Sequence, residues 1–200
     1  MADIHEKMSA GTRALIEEHF LQLMEQEGFH KMSVRTLAQR THINRGTFYL
    51  HYTDKYDLLE QLQRELLTGL EQVMVVKIVR EEMSEHYLKG LPYPPLVQIL
   101  EYLHQHGERL RLFLGAKGEA GFPGQFKEVI KRSFYRKLEM NGVFEDHPAV
   151  PPAYLAAHSA SIFLGITEEW LHSVMPYTPQ ELAVIYNEVL FMQTTLIAKP

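Results

Sequence analysis

The chain has no cysteine, which excludes disulfides, thiolate metal sites and cysteine nucleophiles and suits a reducing compartment. No uninterrupted apolar run approaches the ~18 residues of a membrane span, and no basic start leads into an apolar core with a cleavage site. A cytoplasmic chain without a membrane partner is expected. Strand patterns, internal repeats and low-complexity tracts are missing as well, and so is any glycine-rich phosphate loop following a strand. There is no basic excess either: 20 Lys and Arg stand against 25 Asp and Glu, a net charge of -5. What is present is 46% hydrophobic and 22% charged over 200 residues, the balance of a folded chain of one or two small domains.

The informative stretch is Met32 to Leu59. Ser33 is an N-cap residue, and Met32 and Leu37 stand at the spacing of a hydrophobic staple, so a helix starts there with Leu37 and Ala38 on its apolar face. Thr41 to Ile43 forms a sharp turn. Asn44 caps a second short helix, whose Phe48 and Tyr52 face the core while Arg45, Thr47 and Leu50 look outward. Asp54 caps a third, with Asp57 completing a capping box and Leu58, Leu59, Leu62, Leu66, Leu70 and Val73 carrying a helical stripe onward. Two capped helices across a sharp turn read as a DNA-binding helix-turn-helix. Charge distribution agrees with this despite the acidic total. From Lys31 to Lys55 five basic residues, Lys31, Arg35, Arg40, Arg45 and Lys55, face one acid, Asp54. A basic tip on an acidic body orients a protein on a duplex and limits indiscriminate binding. Base edges would be read by Arg45 and Thr47 in the first turn of the recognition helix, and a thymine methyl by Leu50.

The ordered set Gly28-Phe29, Ser33-Val34, Leu37-Ala38, Asn44-Arg45-Gly46-Thr47-Phe48-Tyr49, His51-Tyr52 and Asp54-Lys55 resembles the N-terminal domain of TetR-family transcriptional regulators over roughly residues 10 to 60. Gly165-Ile166, Trp170-Leu171, Thr178-Pro179 and Glu181-Leu182 are similar, more loosely, to the last two helices of many members. His42 departs from the glycine common in the family's turn, yet His tolerates a left-handed backbone better than most residues. The resemblance implies an all-α chain, with a helix-turn-helix domain over residues 1–53 and a helical effector-binding and dimerisation domain over 54–200. It places Tyr49 and Lys55 at phosphate-holding positions, aided by Thr36 and His51. With Ser33, Arg35, Asn44, Arg45, Thr47 and Leu50 these complete the candidate DNA-contacting set. The partner is double-stranded DNA, a palindromic operator read by a homodimer.

Beyond Tyr56, Gly and Pro punctuate the chain into helices. The helix from Asp54 is expected to fray near Gly90, ahead of a stiff Leu91-Pro92-Tyr93-Pro94-Pro95 connector. Leu96 to His106 and Glu108 to Leu114 follow as short helices, then a mobile segment from Gly115 to Gly124 that could gate a pocket. Helices over Gln125 to Met140, Pro152 to Val174 and one carrying Leu182, Ile185, Val189 and Met192 complete the chain. Leu155, Ile162, Ile166 and Trp170, with Val189 and Leu196, are candidates for the dimer interface. The resemblance also implies a pocket whose small-molecule ligand changes the spacing of the recognition helices and so weakens DNA binding by linkage. Tyr102, His104, Phe113, Phe134, Tyr135, Phe163 and Glu169 are candidate lining residues, being aromatic or titratable groups on otherwise apolar helices.

Two rival readings compete. Glu101 with His104, and Glu169 with His172, both spell Glu-x-x-His on a helix, and two such motifs plus further carboxylates build a di-metal bundle site. Inward acids are not evident on the other helices, with Glu65, Glu71 and Glu139 the nearest, and no pair of histidines has zinc-binding spacing. Neither a catalytic residue nor a cofactor or metal is therefore assigned. The third reading is a ligand-binding helical dimer without DNA function.

Overall fold

The computed structural model describes residues 2–196, with side chains from Ser9 to Met192. Among the described residues eleven helices follow one another: α1 (Ala2–Glu27), α2 (Val34–Arg40), α3 (Arg45–Tyr49), α4 (Lys55–Val73), α5 (Arg80–Leu88), α6 (Pro94–Gln105), α7 (Gly107–Leu114), α8 (Phe122–Met140), α9 (Val143–Asp146), α10 (Pro152–His172) and α11 (Pro179–Leu196). Among the described residues there is no strand, and no helix long and apolar enough to cross a membrane. The chain divides into two compact units, Met1–Leu66 with Arg111–Pro123 and Leu67–Leu110 with Gly124–Pro200.

In the first unit, Ile16, Phe20, Leu23 and Met24 of α1 are fully buried with Phe29, Leu37, Phe48 and Leu58. Burial of such side chains stabilises by roughly 1.5–3 kcal/mol each. Gly28, at φ +80, stops α1 by adopting the left-handed conformation that a side chain resists. Buried Leu59, Leu62 and Leu66 draw the front of α4 into this core, which is why the unit extends past residue 53. A polar lock adds to it. The Tyr52 hydroxyl donates to Glu17 at 2.7 Å, and Arg13 donates to Glu17 at 2.7 Å and to Glu65 at 2.6 Å. Burial, then the Glu17 carboxylate, holds the Tyr52 phenol protonated well above its ordinary range.

The 115–121 segment belongs to this unit as well. Phe29 donates its N–H to the Lys117 carbonyl at 3.1 Å, and the Lys117 ammonium donates to the Glu25 carbonyl. One backbone and one side-chain hydrogen bond thus tie the segment expected to be mobile to the end of α1.

The second unit also departs from expectation. In place of one helix running to Gly90, α4 ends at Val73 and α5 starts at Arg80. Val73, Val75, Val76, Ile78 and Val79 supply the reason, since β-branched side chains lose rotamer freedom in a helix. The free N–H of Val79 is taken up by the Tyr93 hydroxyl at 3.0 Å. Helix α6 opens on Pro94 and Pro95, where missing N–H groups do no harm, and packs along α11. Thr178 and Glu181 form a capping box at the head of α11. The Trp170 indole donates to the Tyr177 carbonyl at 2.9 Å, tying the α10–α11 loop down.

Candidate nucleic-acid interface and effector cavity

The helix-turn-helix is built by its caps. Ser33, in extended conformation, accepts from the Thr36 N–H at 3.1 Å and starts α2. At the far end buried Thr41 returns its hydroxyl to the Leu37 carbonyl at 2.9 Å. His42 then turns the chain at φ +54, the left-handed conformation glycine would take freely, and Ile43 donates back to Ala38 at 3.1 Å. Asn44 accepts from the Thr47 N–H at 2.7 Å and begins α3. Phe48 and Tyr52 face inward, 0% and 2% exposed. Exposed to water on α2, α3 and the C-cap of α3 are Arg35, Gln39, Arg40, Arg45, Gly46, Tyr49 and Leu50, the last 83% exposed. Leu50 has no packing reason to occupy that position, and an exposed large aliphatic beside cations suits a thymine methyl.

The ten candidate DNA contacts are therefore not equivalent. Arg35, Arg45, Tyr49 and Leu50 are exposed, Arg45 bonding among the described residues only to Tyr49, and His51 is half-buried beside Tyr52. Ser33 with Thr36 and Asn44 with Thr47 pair their side chains with each other, so their first task is capping. Lys55, expected at a phosphate-holding position, is turned toward the chain itself here. Its ammonium donates to the carbonyls of Phe29, His30 and Met32 at 3.0, 3.3 and 2.9 Å, which occupies all three protons, and it lies 4.7 Å from the Phe29 ring centroid. Desolvation lowers its pKa. No local sequence pattern announces this, because the three carbonyls lie more than twenty residues away.

The second unit contains a cavity of about 410 Å³. Met74 and Ile78 line it from behind α4, Leu96 and Ile99 from α6, Ile162 and Phe163 from α10, and Leu190 and Phe191 from α11. Phe134 and Leu138 of α8 complete the apolar wall, with Lys137 set between them. Arg80, Glu81, Asp146 and His158, all exposed side chains, stand at its rim.

Of the seven candidate pocket residues, Phe134 and Phe163 line this cavity and five do not. Tyr102 lies on Gly69, where it leaves no room for a Cβ. His104 stacks on Trp170 at 5.8 Å. Phe113 packs edge-on against Phe122 in the first unit, Tyr135 meets Phe144, and Glu169 accepts from the Ser173 hydroxyl. Residues missed from sequence include Met74, Ile78, Lys137 and Tyr186. Lys137 had a legible signal, lying three residues from Phe134 and so on the apolar stripe of its own helix.

Among the candidate dimer residues, Trp170 is buried in its own chain at 3% exposure, and Ile162 faces the cavity. Leu155, Ile166 and Val189 are half-exposed, and the Leu196 side chain lies outside the described residues. The two Glu-x-x-His pairs are also engaged: Glu101 accepts from Gln180, Glu169 from Ser173, and among the described residues no group of three metal-ligating side chains forms.

A family model for bacterial regulatory proteins of the tetR family matches residues 21–62, and one for a transcriptional regulator C-terminal region, of the same family, matches residues 92–191. The second alone spans half the chain. The chain belongs to the TetR family. It is thus an all-α, helix-turn-helix, DNA-binding transcriptional regulator, and members of this family are not enzymes. Solved structures with the same fold include a TetR transcriptional regulator from Streptococcus agalactiae 2603V, 22% identical with TM-score 0.63, covering 94% of this chain and 98% of that one. Another is NalD, the secondary repressor of the MexAB-OprM multidrug efflux pump in Pseudomonas aeruginosa, 18% identical with TM-score 0.65, covering 93% and 96%. The uncharacterized HTH-type transcriptional regulator YxbF of Bacillus subtilis (strain 168) is 24% identical over 126 residues, 62% of this chain. This chain spans about a third of that relative, 31% of its length.

Proposed function

We propose that this TetR-family chain is a cytoplasmic homodimeric repressor that reads a palindromic operator and is controlled by a small molecule held in the second unit. The observation that carries the DNA reading is the outer face of α2 and α3, where Arg35, Arg45, Tyr49 and 83%-exposed Leu50 stand together on capped, rigid helices. Arg45 and Leu50 discriminate bases, Tyr49 and Arg35 hold phosphate, and Lys55 braces the tip from inside.

A dimer fits the size of one tip, which alone touches few base pairs. Helix α10 offers a face for it: Ala157, Ser161 and Gly165 succeed one another every fourth residue, and a Cβ on Gly165 would meet open space. Half-exposed Ile166 and Val189 extend that face. Repression rests on the family and on likeness to NalD, a repressor.

The test is selection of tight binders from a random duplex pool, repeated with Arg45→Ala and followed by salt titration. An inverted repeat with half-sites about one helical turn apart, relaxed at one base pair in the variant, is the expected result. No enriched sequence and no salt dependence would refute the reading.

A further inference from the structure

The chemistry of the cavity narrows what it can hold. Its walls are aliphatic and aromatic, and three polar side chains that are not exposed interrupt them, Lys137, Ser159 and Tyr186. Lys137 is a half-buried side chain whose ammonium donates to the Val76 carbonyl. An ammonium has three protons, and among the described residues no carboxylate lies within 4 Å of this one. Tyr186 is 6% exposed, its hydroxyl has no hydrogen-bond partner among the described residues, and its ring meets Phe163 at 6.0 Å. Burying a cation without a counter-charge is costly, and the Tyr186 hydroxyl is free to bond a ligand.

The rim charges differ in kind. Arg80, Glu81, Asp146 and His158 have exposed side chains, two of them acidic and one permanently basic, so solvent screens them and they impose no sign on a ligand. Lys137 is the charge set among apolar walls, where an opposite charge is worth most.

We propose that the cavity binds an amphipathic organic monoanion, a medium-chain or aromatic carboxylate, with its carboxylate on the Lys137 ammonium and the Tyr186 hydroxyl and its hydrocarbon body against Phe134, Phe163, Ile99 and Leu190. The inference rests on the reading of this cavity as the effector site. Its volume of about 410 Å³ lies at the lower end of the ~300–1,000 Å³ usual for small-molecule pockets, which excludes large conjugated ligands. A carboxylate would also take up the protons that Lys137 leaves unpaired, as a charge-assisted hydrogen bond. Burial already holds the Lys137 pKa down at about 8, and a bound carboxylate would restore its full charge.

The experiment compares decanoate, decanol and decylammonium as probes of the full chain by calorimetry at pH 7, with operator release followed by fluorescence anisotropy. Decanoate should bind at least tenfold more tightly than decanol, and decylammonium most weakly. Lys137→Gln, whose amide can still donate to the Val76 carbonyl, should lose that preference for decanoate while holding decanol within about twofold. Lys137→Arg should keep the preference. Circular dichroism shows whether each variant is folded, and Tyr186→Phe supplies a second handle with a severalfold loss confined to decanoate. Decanol binding as tightly as decanoate and releasing operator would overturn the anion while leaving the effector cavity standing. Absence of binding by all three probes would overturn both.

Discussion

Arg45 and Tyr49 are joined across one turn of the recognition helix: the guanidinium donates to the Tyr49 hydroxyl at 3.2 Å and stands 5.9 Å from its ring centroid. The tyrosine thus restrains the rotamers of the arginine assigned to a guanine edge, lowering the entropy lost on docking. Arg45→Ala should lose ~1–3 kcal/mol of discrimination at one base pair, with little effect on other positions. Tyr49→Phe keeps the ring but removes the hydroxyl's share of the restraint and one phosphate donor, and should weaken all sites by ~0.5–1.5 kcal/mol. Affinity measured against a set of single-base operator variants separates the two. Equal losses at every sequence from both substitutions would contradict this division.

For Lys55, three carbonyl acceptors predict a stability phenotype. Lys55→Met strips hydrogen bonds from the Phe29–Met32 loop and should lower unfolding free energy by ~1–3 kcal/mol, seen as a lower urea midpoint. The slope of log affinity against log salt should stay within experimental error of wild type, because no phosphate contact is lost. A slope reduced by about one, with stability unchanged, would restore Lys55 to the phosphate-holding role that family resemblance implies.

Much of the helix-turn-helix was legible because its determinants are local. Ser33, Asn44 and Asp54 cap helices within three residues of themselves, and the tolerance of His42 for positive φ is a property of the residue. The break between α4 and α5 was legible only in part: the leucine stripe suggests continuation, while the valine-rich run that stops it reads equally as buried helix. Harder still was the cavity, since a residue lining a void and one lining a core have the same chemistry. Tyr102 illustrates this, an aromatic on an apolar helix whose destination depends on Gly69, more than thirty residues earlier in the chain. Lys137 and Lys55 show the converse. Both are lysines near apolar residues, one facing a cavity and the other three carbonyls, and only the fold tells them apart.

Gly69 makes a further prediction. The Tyr102 ring occupies the space a Cβ would fill, so Gly69→Ala must displace it or shift α4. Overpacking of this kind typically costs ~1–3 kcal/mol, outweighing the helix-propensity gain of alanine, which is ~1 kcal/mol. Thermal unfolding should show a net loss, and adding Tyr102→Leu should recover most of it. Stabilisation by Gly69→Ala alone would mean the ring moves freely.

Lys137 gives a pH-dependent signature. In the folded chain its ammonium is disfavoured by burial and gives up its proton near pH 8, whereas the unfolded chain holds it to about 10.5. Between those values the unfolded state binds more protons, so this group makes stability rise with pH across that window. Below pH 8 both states are protonated and the burial penalty is present in full. Lys137→Met removes the penalty and leaves the Val76 carbonyl unpaired, an offset that does not vary with pH. The variant should therefore compare most favourably with wild type at pH 7, and its advantage should shrink between pH 8 and 10.5 by an amount that solvent screening of this half-buried group keeps modest. Arg80, Glu81, Asp146, His158 and Tyr186 border the same cavity in both proteins and cancel in the difference. Urea midpoints at pH 7, 8.5 and 10 provide the measurement. A wild-type-minus-variant difference flat across that range would mean that the Lys137 ammonium is as well solvated folded as unfolded, and would remove the argument that the cavity needs an anion to complete it.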